Sequence, residues 1–142
     1  MDKSANRKLE HLIIKPMQVF LIDGLGALMS AAILIIVFWE SNARVGMPLQ
    51  VIQLLAFLAI CFSVFSLYCF FFLQNFKAEF LKIIVIGNFL YCLLTAGLVI
   101  SFYPKLSVIE LIYFSVEVII ICGIIYLELQ TLKVNSAAAV AK

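Results

Sequence analysis

The stretch Leu21–Ala32, LIDGLGALMSAA, lies inside an apolar run that is long enough to cross a lipid bilayer. It carries one carboxyl side chain, Asp23, together with two glycines and a row of small residues. An ionisable side chain at membrane depth costs about 2.5–3.5 kcal/mol on insertion scales, so it usually faces a protein interior and usually has a function. The stretch therefore predicts a membrane helix with one face turned toward other helices.

The composition of the whole chain is that of a protein surrounded by lipid. Of its 142 residues, 65% are hydrophobic and 13% are charged, and the mean hydropathy is +1.18. Soluble domains carry about 25% charged residues, so the deficit here is too large for a surface in water. The net charge of +2 is too small to indicate a nucleic acid partner, whereas the lipid bilayer is an expected one.

Four apolar runs predict four membrane-spanning helices, at residues 16–39, 48–73, 80–103 and 106–129. A helix needs about 20 residues to span a bilayer, and the connections are so short that neighbouring helices must be antiparallel. We therefore predict an all-α polytopic membrane protein, an antiparallel bundle of four transmembrane helices. Residues 1–15 form a basic N-terminal segment, and residues 130–142 form an alanine-rich tail that we expect to be disordered.

Lysine and arginine are distributed unevenly between the two sides of this bundle. The side with both termini holds eight of them and the other side holds two: Lys3, Arg7, Lys8, Lys15, Lys77, Lys82, Lys133 and Lys142 against Arg44 and Lys105. Positive residues are enriched in cytoplasmic segments. Both termini are therefore predicted to be cytoplasmic.

The first run has a face of small residues around its carboxyl group. Gly26, Ala27 and Ser30 follow Asp23 at i+3, i+4 and i+7, which places all of them on one side of a helix. Small residues let a neighbouring membrane helix approach closely. We therefore interpret Gly26, Ala27 and Ser30 as helix-packing residues.

The third and fourth runs carry polar stripes of their own. Asn88, Tyr91, Cys92 and Thr95 share one face of the third run, and the fourth run presents Glu110, Glu117 and Glu128 within about 20° of one another. Glu110 and Glu128 lie near the ends of their run, where a long side chain is expected to reach water. Glu117 lies near the middle, and Asp23 is about 10 Å inside the first run.

Asp23 and Glu117 have no basic partner at their depth, because Lys82 lies at the start of its run and the other basic residues lie outside the runs. Two interpretations remain open. The carboxyl groups are protonated and form a neutral network with Asn88, Tyr91 or Ser66, or they hold a proton, a cation or a cationic ligand in a polar cavity. In either case Asp23, Asn88, Tyr91 and Glu117 are predicted to converge in the bundle interior as an intramembrane polar cluster.

Three short motifs carry a resemblance to a known group of proteins. The motifs are Asp-Gly-Leu-Gly-Ala-Leu at residues 23–28, Asn88-x-x-Tyr91-Cys92, and Tyr113-Phe114-x-x-Glu117. From about Gln18 to Leu129 the chain resembles small uncharacterised four-helix membrane proteins of bacteria. The resemblance implies a protein of the bacterial inner membrane and supplies no activity.

Three classes of function compete. The first is an ion- or proton-coupled or small-ligand carrier that uses Asp23 and Glu117. The second is a structural or regulatory subunit that docks on another membrane protein or on a second copy. An intramembrane enzyme is least favoured, since His11 lies outside the runs and no Ser/His or Cys/His pair shares a face. We predict no catalytic residues, no metal ligands and no cofactor.

Overall fold

The computed structural model describes residues 15–40 and 46–140, and over these ranges the chain is all-α. The helices are α1 (Pro16–Glu40), α2 (Leu49–Phe72), α3 (Ala78–Phe102) and α4 (Val108–Val140), with a 3-10 turn at Tyr103–Lys105. Each of α1 to α4 is long and apolar enough to span a membrane. For the described residues, the predicted all-α four-helix bundle is therefore confirmed.

The bounds of α1, α2 and α3 lie within two residues of the predicted ones, whereas α4 is longer. It continues through Val140, so the expectation of a disordered tail is wrong for residues 130–140. These residues include alanine, the strongest helix former, and an established helix extends at little cost. The basic segment at residues 1–14 and tail residues 141–142 lie outside the described residues.

The bundle is built from two hairpins, since α1 packs mainly on α2 and α3 packs mainly on α4. Near the start of α1, Phe20 shares a buried cluster with Cys69 near the end of α2. Near the end of α1, Leu34 shares a different buried cluster with Ile52 near the start of α2. The two helices therefore run antiparallel, and the residues that join the two hairpins lie at the centre of the bundle.

Two apolar clusters fill the ends of the bundle interior. The cluster near residue 16 consists of Val19, Phe20, Cys69, Leu81 and Ile84. The cluster near the opposite end includes Leu34, Met47, Ile52, Leu55, Ala56, Tyr91, Leu106 and Phe114. Between them lie buried polar side chains from α1 to α4. The bundle is thus apolar at both ends and polar in between.

Glu110 links the α1–α2 connection to the α3–α4 connection, at the end of the bundle opposite residue 16. Its carboxyl group accepts hydrogen bonds from the Ser107 N–H and Oγ–H, each at 2.8 Å, and from the Gly46 N–H at 3.0 Å. Ser107 and Glu110 form a capping box at the start of α4, because the Glu110 N–H also points to Ser107 Oγ. The prediction that Glu110 extends into water is therefore wrong. It is buried because a neighbouring connection supplies one of its donors.

The outer surface of the bundle consists of large apolar side chains. Phe71, Ile100 and Ile109, from three different helices, are among the most exposed residues of the described chain. Contiguous apolar surface on this scale is unfavourable in water. Together with the helix lengths, it indicates a multi-pass membrane protein.

Candidate intramembrane polar site

One side chain from each of α1 to α4 contributes to a polar layer between the two apolar clusters. Asp23 accepts hydrogen bonds from Ser66 Oγ at one carboxyl oxygen and from Asn88 Nδ2 at the other, the latter at 2.7 Å. The same Asn88 nitrogen also donates to Glu128 Oε1 at 3.3 Å. Two carboxyl groups therefore share one amide donor, at the junction between the two hairpins.

Glu128 is the member of this layer that the sequence did not indicate. The expectation that it reaches water is wrong, because its side chain is 0% exposed. The helix α4 continues past residue 129, and by length and composition its candidate span runs from Val108 to Asn135. At 1.5 Å per residue, Glu128 lies about 10 Å inside that end, level with Asp23 in α1. Equal depth in two antiparallel helices is the signal that could have identified the pair.

Glu117 forms a second polar group at a different level. Tyr91 donates a hydrogen bond from its hydroxyl group to Glu117 Oε1 at 3.3 Å, and the side chains of Ser30 and Tyr113 lie beside the same carboxyl group. Tyr113 also donates to the backbone oxygen of Ser30 at 3.4 Å. Glu117 is 4% exposed. Residues of α1, α3 and α4 thus enclose it.

All four residues of the predicted polar cluster are buried, but they form two groups rather than one. Asp23 bonds to Asn88, and Tyr91 bonds to Glu117. A cavity of about 30 Å³ lies beside Asp23 and Tyr91. Its polar lining consists of Asp23, Ser30, Asn88 and Tyr91, and neither Glu117 nor Glu128 lines it. The cavity has room for one or two water molecules, since one water needs about 10–15 Å³ by this measure.

The small residues of α1 have two different roles. Gly26, Ala27 and Ser30, interpreted from the sequence as packing residues, line the cavity. The close approach of a neighbouring helix occurs at Gly24, where an added Cβ would lie 2.8 Å from Leu67 Cγ. Ser63 fixes the same contact by donating to the Gly24 backbone oxygen at 2.8 Å. The smallest side chains therefore leave space beside Asp23 on one face and admit α2 on another.

Negative charge in this interior has no positive counterpart among the described residues. Every lysine that the structure describes is exposed: Lys15, Lys77, Lys82, Lys105 and Lys133. In the same part of the chain, Glu117 Oε2 and Glu128 Oε2 are buried without a hydrogen-bond partner. A buried carboxylate is costly unless it is paired. Within the described ranges, no three His, Cys, Asp or Glu side chains are grouped closely enough to hold a metal ion.

Comparison with known proteins found no match for this chain. No family model matches the chain, no curated protein matches it, and no solved structure is similar to it. The interpretation of the site therefore depends on its own contacts.

Proposed function

We propose that this protein is a small membrane carrier that binds a proton or a small monovalent cation at the buried carboxyl groups of Asp23 and Glu128. The observation that carries the proposal is the single Asn88 amide group, which donates to both carboxyl groups where they are 2% and 0% exposed. Two adjacent charges of the same sign in the buried interior require compensation. With the described lysines exposed, a bound proton or cation is the compensation that remains.

The size of the cavity limits the ligand. Sites for drug-sized ligands have volumes of about 300–1,000 Å³, whereas the cavity beside Asp23 has about 30 Å³. It accommodates a proton on a carboxyl group, or a small ion with at most one water molecule. An organic substrate does not fit. Of the carrier functions that the sequence leaves open, the cavity therefore favours the ion- or proton-coupled one.

Transport by purified protein in liposomes tests this proposal. We expect the parent protein to carry protons or sodium ions down an imposed gradient, and we expect Asp23→Asn and Glu128→Gln to reduce the flux to that of protein-free liposomes. Both substitutions keep the shape of the side chain while removing its titratable group. Glu79→Gln is the matched control, because Glu79 is exposed in the first turn of α3. Flux that survives both core substitutions would refute the carrier site.

A structural or regulatory subunit is the second candidate. It is favoured by the polar layer, whose hydrogen bonds link all four helices. Interhelical hydrogen bonds of this kind also hold membrane bundles together. A second copy or another membrane protein would then be the partner. A parent protein that transports neither protons nor sodium ions, with Asp23→Asn and Glu128→Gln folded normally, would favour this role.

We place the protein in a bacterial inner membrane with both termini in the cytoplasm. The support is the distribution of eight basic residues against two and the resemblance of the three motifs. A reporter active only in the periplasm is expected to be silent after Lys142 and active in the first connection at Ala43. Insertion at Asn75, between α2 and α3, is the matched control for the cytoplasmic side. Equal activity at Ala43 and Asn75 would contradict a single orientation.

A further inference from the structure

Glu117 is a second carboxyl group that the paired site of Asp23 and Glu128 does not use. Its Oε1 accepts the Tyr91 hydrogen bond, and its Oε2 is buried with no partner among the described residues. Its ionisable neighbours are Tyr91 and Cys92 on α3 and Tyr113 on α4. All of these neighbours are uncharged when protonated, so Glu117 has no positive group facing it.

Tyr91 connects the two levels. Its side chain lines the same cavity as Asp23 and Asn88, and its hydroxyl group donates to Glu117. The Phe62 and Tyr91 rings pack perpendicular to each other, with a centroid distance of 6.3 Å and an angle of 88°. A phenol both donates and accepts hydrogen bonds. Tyr91 can therefore accept a proton from the cavity side while it donates one to Glu117.

The distribution of free oxygen atoms favours a proton over a metal cation. Ser66 and Asn88 already donate hydrogen bonds to the two carboxyl oxygens of Asp23. The buried carboxyl oxygens without a hydrogen-bond partner among the described residues are one on Glu128 and one on Glu117, and these belong to different levels of the bundle. A metal cation needs several oxygen ligands around one point. A proton needs only one oxygen at each level.

We propose that Tyr91 relays protons between the Asp23–Glu128 pair and Glu117, so that the ion carried is the proton. This inference rests on the proposed carrier function. Asp23, the member of the pair that lines the cavity, releases its proton to a water molecule there. That water passes a proton to the Tyr91 oxygen as the Tyr91 O–H proton moves to the Glu117 carboxylate. One carboxyl group ends deprotonated and the other protonated, and water and phenol are regenerated.

Proton flux into liposomes that contain a pH-sensitive dye tests the relay, with a potassium diffusion potential as the driving force and no sodium present. We expect the parent protein to carry protons, and we expect Tyr91→Phe and Glu117→Gln to lower the flux to that of protein-free liposomes. Tyr68→Phe is the matched control, since Tyr68 is 54% exposed on the outer surface of α2. We also expect flux by the parent protein to be slower in D₂O, because proton transfer is the step that carries the charge.

The outcomes separate the relay from the carrier function. If Asp23→Asn abolishes flux but Tyr91→Phe and Glu117→Gln transport normally, the carrier function stands and the relay is overturned. If flux appears only after sodium ions are added to the assay, the assignment of the proton is overturned. If the parent protein moves no ion, the carrier function itself fails. Tyr91→Phe keeps the aromatic ring. If one of the two substitutions disturbs folding, the other still tests the relay independently.

Discussion

Asn88→Leu is expected to destabilise the folded bundle by about 3 kcal/mol, because it removes a donor shared by two buried carboxyl groups. Each buried acceptor that loses its partner costs about 1–3 kcal/mol. Asp23 Oδ1 and Glu128 Oε1 both accept from Asn88 Nδ2. Leucine has the same number and branching of side-chain heavy atoms as asparagine, so the substitution removes the polar contacts without leaving a cavity. The measurement is the free energy of unfolding in mixed detergent micelles, followed by circular dichroism.

Ser101→Ala is the control for Asn88→Leu, because it removes a polar side chain from the same helix at an exposed position. Ser101 Oγ donates at 2.8 Å to the backbone oxygen of Gly97, which lies within α3 itself. This substitution is expected to change the unfolding free energy by less than about 0.5 kcal/mol, as is usual for exposed positions. Equal stability of Asn88→Leu and Ser101→Ala would show that the polar layer does not hold the hairpins together.

Gly24→Leu is expected to destabilise the bundle strongly, with a loss of about 3 kcal/mol, near the upper end for overpacking. The first added carbon would already lie 2.8 Å from Leu67 Cγ and 3.2 Å from the Leu67 backbone nitrogen. A side chain can rotate away, but the backbone of α2 cannot move without lengthening the hydrogen bond from Ser63 to Gly24. The same unfolding experiment measures the effect.

Two other glycines provide the comparison for Gly24. Gly97→Leu is expected to leave stability unchanged, because a Cβ added at Gly97 would have no neighbouring atom within 4 Å. Gly26→Leu should be intermediate, since the nearest contact is the flexible end of Ile124 at 3.1 Å and the cavity lies beside it. If Gly24→Leu is no worse than Gly97→Leu, the close packing of α1 on α2 is not a source of stability.

The fold class followed from the sequence because lipid leaves the backbone few alternatives. Without water to satisfy its polar groups, a chain that crosses a bilayer as separate apolar segments must form helices. The lengths of the runs and of the connections then predict the number of helices and their antiparallel order. The end of α4 could not be predicted from the sequence, because hydrophobicity marks the lipid boundary and not the end of the helix. Residues 130–140 remain helical beyond the apolar run.

The burial of Asp23, Asn88, Tyr91 and Glu117 also followed from the sequence. Helical spacing and depth distinguish a polar residue that faces protein from one at the lipid surface. The partners of these residues did not follow, since periodicity describes one helix at a time. Only the packing of the two hairpins decides that Asn88 lies between Asp23 and Glu128 while Tyr91 lies against Glu117.

Glu128 shows most clearly why the sequence predicts some features of the site and only the tertiary structure decides others. In the sequence, residue 129 ends the last apolar run, which predicts Glu128 at the membrane edge with its side chain in water. In the tertiary structure α4 continues, Glu128 is enclosed by the other helices, and Asn88 supplies its donor. Hydropathy along the chain determines which segments enter the membrane. The environment of a side chain inside it depends on neighbours that are distant in sequence, and only the folded bundle brings these together.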